Sequence, residues 1–415
     1  MSHRHPTLQV LDAPGVRAFS GGRFFGAMGN IMLTTTIAWH VADVAGRSGD
    51  LKDKALYLGV LGLLEFLPVI PCTLLAGALA DTHERRDLVI GTRILSLLLA
   101  LALWAIAGRV VPELFTVLAL AFGLSVVRSF QRPAAAAILP NLVRPEIFQN
   151  AVAVNSTIRN LAWASGPVCA GVALQFGGVR AAYLSTLCML IVSLIFWAFV
   201  PRIGIALTGS RADLSLIREG IDFVFQRPVI LSCMVLDMFA VILAGPRALL
   251  PIFASDILGV GSLGYGVLSA AIATGTFLMA SLLLFRPPFV RPGRMLLIAV
   301  ACFGGSAVAF GLSGGIALSV AALVVAGMAD QVSMLTRATI IQLSTPDALR
   351  GRVNAVNLVF IGASNEFGDA FSGFLAAITT PIFAVVAGGI GCLGLSGGVA
   401  ATVPSLRQHR AGDGA

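Results

Sequence analysis

The stretch AAYLSTLCMLIVSLIFWAFV, residues 181–200, contains no charged side chain. A helix of about 20 mainly apolar residues rises about 30 Å, the thickness of a bilayer's hydrocarbon core, so this segment reads as a membrane crossing. The rest of the chain repeats the pattern. Of its 415 residues 57% are hydrophobic and only 12% are charged, against about 25% charged in soluble domains, and the mean hydropathy is +0.91. Lipid is the solvent, and there is room for about a dozen helices but not for a large soluble domain, which excludes most enzymes.

Breaking the apolar runs at charged, Gly and Pro clusters predicts spans near 19–44, 55–80, 88–108, 112–138, 149–177 and 180–200, then 228–256, 262–285, 294–313, 315–343, 353–378 and 380–403. With both termini in the cytoplasm, the inner loops and tails hold 16 of the 28 Lys and Arg residues and the outer loops five. Positive loops stay inside, so this bias supports an even number of crossings with both ends cytoplasmic. The N-terminal MSHRHPTLQVLDAPGVRAFS lacks a short apolar core followed by a small-residue cleavage site, and the first span is expected to serve as the targeting signal.

The net charge of +8 does not point to nucleic acid, because the basic residues are scattered singly between apolar runs. Cys72, Cys169, Cys188, Cys233, Cys302 and Cys392 are far apart with no CxxC, so neither a disulfide framework nor a metal site is indicated, and no cofactor is expected. Residues 201–227 form the longest polar stretch and divide the chain into an N-terminal bundle (1–200), a cytoplasmic linker (201–227) and a C-terminal bundle (228–415). Within the linker, Leu214, Ile217, Ile221 and Val224 share one helical face opposite Arg218, Glu219 and Asp222, which suits a helix on the inner membrane surface. The halves echo each other: ILPNLVRPEIFQNAVAVN (138–155) and LSTPDALRGRVNAVN (343–357) share a Pro, a basic loop and an AVN triplet at an offset of about 202–206 residues. Duplicated halves around a midplane site are a transporter architecture.

The loop after span two, GALADTHERRD (77–87), resembles the Gly-x-Leu-Ala-Asp-Arg-x-x-Arg-Arg loop of the major facilitator superfamily, with Thr82 where the family has a basic residue. That resemblance implies close helix packing at Gly77, a gating carboxylate at Asp81, and Arg85 and Arg86 holding the loop at the phosphate surface. RSFQRP in span four is similar to the family's Arg-x-x-Gln-Gly motif through Arg128 and Gln131, with Arg132 in place of the glycine. SGPVCAG in span five resembles the Gly-Pro-x-x-Gly-Gly antiporter signature through Gly166, Pro167 and Gly171, while Ala170 departs from it. Residues 236–261 and 327–373 are similar to the enterobactin exporter and macrolide-efflux-like branch, whose substrates include both siderophores and drugs. The implied fold is an all-α membrane protein of about 12 helices in two pseudo-symmetric six-helix bundles. The implied setting is the bacterial cytoplasmic (inner) membrane, with the chain acting as a monomer in the lipid bilayer.

Lys52 and Lys54 are the only lysines, so no GxxxxGK[ST] phosphate loop exists and an ion gradient is left as the power source. An ionised residue at the centre of a span costs about 2.5–3.5 kcal/mol on insertion scales, which marks such residues as functional candidates. Glu65, Arg128, Asp237, Asp330 and Glu366 are the candidates for substrate and proton coupling, with Arg159, Arg337 and Asp369 also deep. Asp237 and Asp330 are the first candidates to carry the proton and Glu65 the reserve. Arg128 is expected to favour their ionised form, and Glu366 and Asp369 either share a proton or pair with a basic residue. Each such pair also bears a second reading, a fixed ion pair tying helices together. Arg23, Arg93 and Arg132 lie near the inner surface, where they can snorkel to the phosphates. The expected function is export of a small hydrophobic or amphipathic compound, a drug or a siderophore, in exchange for protons. An uptake permease of the same fold and a transport-inactive sensor or scaffold are the alternatives.

Overall fold

A computed structural model describes residues 10, 12–82, 84–107, 114–136, 138–202, 214–287, 289–346 and 349–408. The described residues are helical, without strands. In chain order the main helices are α1 (Val16–Ala45), α2 (Leu51–Phe66), α3 (Val69–Thr82), α4 (Arg85–Ala107), α5 (Leu114–Ala136), α6 (Phe148–Ala198) and α7 (Leu214–Gln226). They continue as α8 (Pro228–Ala244), α9 (Gly261–Leu283), α10 (Pro292–Gly311), α11 (Ile316–Leu343), α12 (Arg350–Ile378) and α13 (Pro381–Thr402).

Nine helices among the described residues are long and apolar enough to cross a membrane. One of these, the Pro145–Ala198 stretch, holds two of the expected crossings, because Gly178 adopts φ 66° and ψ −169° inside α6. A residue with a Cβ resists that conformation, so glycine sets the break where the sequence places the end of span five. The first and eleventh crossings, α1 and α12, are less apolar because they carry Asn30, Thr34–Thr36 and His40, and Asn354, Asn357, Glu366 and Asp369, respectively. Every expected span is thus matched by helix. Span two is divided at Leu67–Pro68 into α2 and α3, where Pro68 and Pro71 each lack the N–H that would continue the ladder. Span seven likewise stops at Gly245–Pro246 and resumes through a short π-helical turn over Phe253–Ile257. Large apolar side chains stand exposed along these helices, Phe115 at 75% and Phe176 at 84%, as lipid-facing surface does.

The chain forms two compact units, Met1–Val44 with Leu64–Arg211 and Ala45–Leu63 with Ala212–Ala415. In the first, α4 packs on α5 and α6, and α3 on α5. In the second, α11 packs on α9 and α10, while α13 packs on α10 and α8. Residues 45–63, which belong by sequence to the first half, join the second unit. The cause is close backbone packing: a Cβ built on Gly373 would lie 2.4 Å from the Cα of Gly59, and one on Gly62 would lie 2.6 Å from the Ala370 nitrogen. Such small-residue contacts are how helices gain dispersion energy where lipid removes the hydrophobic drive.

The linker helix α7 lies against α12 and α8. Val224 is fully buried with Ile230, Met234, Ile341, Val353 and Val356, whereas Ile221 is exposed. Arg352 pairs with Glu219. Of the expected apolar face, Val224 therefore packs on protein while Ile221 remains outward.

Candidate functional site

In the first unit α5 carries Arg128 one helical turn before Gln131, and each organises a different set of partners. The Arg128 guanidinium binds the Glu65 carboxylate at 2.6 Å, both side chains being less than one-fifth exposed. Ser125, one turn earlier, donates to the Glu65 carbonyl at 2.7 Å. Of the three acids whose ionised form Arg128 is expected to favour, Glu65 of its own unit is the one whose carboxylate it binds. The gap opened in the backbone ladder near Pro68 lies beside Glu65, and the Ser125 hydroxyl supplies a donor to that carbonyl.

Gln131 faces α1. Its Oε1 accepts from Asn30 Nδ2 at 3.1 Å, and Asn30 Oδ1 accepts from Arg93 at 3.3 Å, while the same guanidinium donates to the Gly26 carbonyl at 3.3 Å. Arg93 is only 4% exposed. It does not snorkel, as its distance from the inner surface implied, but turns into the bundle. Room for it is made by Gly26, where a Cβ would lie 2.3 Å from the terminal nitrogen of Arg93. Toward the other end of α1, the buried His40 ring meets the Tyr183 hydroxyl at 3.1 Å.

The residues read as gating fall in three groups. Gly77 and Asp81 lie in the last two turns of α3, and the Asp81 side chain is outside the described residues, as are the side chain of Arg132 and the whole of His83. Arg86 donates to the carbonyls of Trp197 at 3.3 Å and Ala198 at 2.7 Å, capping the C-terminal end of α6. Arg85 is half-buried beside it. Gly166 and Pro167 are buried within α6, and a Cβ on Gly166 would lie 2.9 Å from Ile31, so this turn is a close crossing with α1.

In the second unit Asp237 and Arg337 form a buried ion pair between α8 and α11, with 6% and 4% exposure. Asp369 takes a two-pronged contact from Arg247, at 2.6 Å from Nη2 and 3.0 Å from Nε, which is the pairing with a basic residue that its place on α12 allows. Glu366 is half-buried one turn earlier. Asp330 is half-buried in α11, with Arg247 in electrostatic reach. Among the described residues it has neither hydrogen bond nor ion pair. Lys54 binds Asp256 at 2.7 Å, a pair that sequence reasoning missed. The two are 202 residues apart, and no local signal in the sequence joins them. Among the described residues no group of three or more His, Cys, Asp and Glu side chains could hold a metal.

The profile of the transmembrane secretion effector family matches residues 18–413. The chain belongs to that family. It falls in the major facilitator branch that holds the enterobactin exporters. The enterobactin exporter EntS of Escherichia coli O127:H6 is 25% identical over 383 residues, covering 92% of this chain and 87% of that protein. The architecture agrees with solved transporters. The inward-open xylose transporter XylE from E. coli aligns with a TM-score of 0.68 at 15% identity, over 94% of this chain and 95% of that one. A POT family transporter solved with 5-aminolevulinic acid aligns at 0.71 with 11% identity, over 94% and 96%. At these identities the likeness is one of fold. The chain is therefore a multi-pass inner-membrane secondary transporter of the major facilitator fold, with a small-molecule substrate, and not an enzyme.

Proposed function

We propose that this transporter exports a small hydrophobic or amphipathic organic compound from the cytoplasm in exchange for protons, working as a monomer with both termini cytoplasmic. The observation that carries the coupling is the uneven state of the in-span acids. Glu65, Asp237 and Asp369 each have an arginine against the carboxylate, whereas Asp330 has no ion pair among the described residues. A carboxylate held by a guanidinium has little reason to change protonation during a cycle. A half-buried one without an ion pair, as Asp330 is, can relieve its partial desolvation by taking up a proton, then release it when water or a cation approaches. Asp330 is thus the coupling acid, and Asp237, which reads equally well as a carrier in the sequence, is a structural charge. The buried Gly166-Pro167 turn and the 25% identity to an enterobactin exporter support the outward direction.

Direction and coupling are tested together in inverted membrane vesicles acidified by respiration. Adding a transported compound to vesicles that contain the protein is expected to release protons, read as recovery of a quenched amine dye, with Asp330→Asn abolishing the response. Compounds come from a growth screen of a deletion strain. Uptake of the same compound by right-side-out vesicles down the proton gradient would instead make the protein a permease.

A further inference from the structure

The first unit holds more positive charge inside its spans than its acids can balance. Its one in-span acid with a described ion pair, Glu65, is engaged by Arg128. Arg23, Arg93 and Arg159 have no carboxylate partner among the described residues, yet Arg23 is in electrostatic reach of both Arg159 and Arg93. Arg93 is buried, Arg23 half-buried and Arg159 exposed, and like charges gathered inside a bundle without a counterion repel one another, most strongly at the buried member. Solvation by phosphates does not account for Arg93, whose side chain is turned inward.

The hydrogen bonds show what is missing. Arg93 donates to two neutral acceptors, Gly26 O and Asn30 Oδ1, so Asn30 turns its amide nitrogen to Gln131 Oε1. The Gln131 amide nitrogen is left buried without an acceptor, and so is Arg93 Nε. Both orphans are donors, both belong to side chains at least nine-tenths buried, and both sit in the same chain of bonds. A group rich in acceptor oxygens and carrying negative charge satisfies them and the arginines at once. Arg159 lies over the Trp163 ring with its guanidinium carbon 5.9 Å from the centroid, which offers an apolar aromatic face beside the charges.

We propose that Arg23, Arg93 and Arg159, with Gln131, form an anion subsite that takes a carboxylate of the transported organic compound. This rests on the transporter reading above and sharpens it to an organic acid. The test uses 2-naphthoate and its uncharged counterpart 2-naphthamide as probes, with binding of each labelled probe measured on the full chain in nanodiscs of zwitterionic lipid. Naphthoate is expected to bind at least about tenfold more tightly than naphthamide. Arg23→Gln at a half-buried position and Arg159→Gln at an exposed one are expected to reduce that preference to less than about threefold, and Arg159→Lys to keep most of it. Equal affinity for the two probes, absence of saturable naphthoate binding, or a preference untouched by both glutamine variants would overturn the proposal. So would loss of naphthoate binding when phosphatidylglycerol is included in the nanodisc, since the arginines would then serve a lipid headgroup. Failure of the export reading looks different: the binding preference persists while vesicles move no compound outward.

Discussion

The Asp237–Arg337 pair should behave as a structural tie between α8 and α11, and removing one partner exposes that role. The two side chains are 9% and 5% exposed, so Asp237→Asn leaves a guanidinium buried without its counterion. Breaking a buried pair in this way costs about 3–5 kcal/mol, a shift in the folded-to-unfolded ratio of roughly a hundred- to several-thousand-fold. The combined Asp237→Asn, Arg337→Gln variant removes both charges together and should recover most of that loss. Replacement by Asp237→Leu with Arg337→Met should be neutral or better, because the desolvation cost disappears with the charges. Denaturation in mixed micelles, followed by intrinsic fluorescence for wild type, both singles and the double, completes the cycle. The reasoning also requires that the doubly neutral variant still transport uphill. If Asp237→Asn stays within about 1 kcal/mol of wild type, or if the double variant is as unstable as the sum of the singles, the pair is not the tie described here.

Other outcomes follow from the same geometry. Arg86→Ala removes two charge-assisted bonds to the carbonyls that close α6 and should cost about 1.5–3 kcal/mol, read as a lower unfolding midpoint. Gly59→Leu or Gly373→Leu should block the close approach of α2 and α12 and cost about 1–3 kcal/mol. Cross-linking yield between cysteines placed at 55 and 377 would fall with them, and an unchanged yield would show that the glycines are not needed for the contact. Asp81→Asn is expected to slow transport sharply with expression near normal. An unchanged rate would remove the gating role that the Gly77–Asp87 loop implies.

The membrane class and the number and limits of the crossings were legible because each depends on local composition: a run such as 181–200 has one stable solvent. The break between spans five and six at Gly178 was also legible, whereas the interruptions of spans two and seven at Pro68 and Pro246 were not, because each apolar run continues through its proline. Side-chain pairing was not legible in the same way. Glu65 with Arg128, Asp237 with Arg337 and Asp369 with Arg247 join residues from 63 to 122 positions apart, and periodicity says which face a charge occupies but not which helix it meets. Depth alone does not give the direction of the Arg93 side chain. Its direction is decided by Gly26, a neighbour in space whose missing side chain carries no signal in the sequence around Arg93. The membership of residues 45–63 in the second unit turns on glycines that look like ordinary small residues until their partners are known.

Coupled transport in proteoliposomes tests the central claim most directly: purified protein, an exported compound on one side, and a pH gradient imposed without other ions. Wild type is expected to accumulate the compound against its gradient, and Asp330→Asn to keep counterflow exchange while losing accumulation. If sodium alone drives the uphill step, or if Asp330→Asn still accumulates the compound, proton exchange at Asp330 is not what powers this transporter.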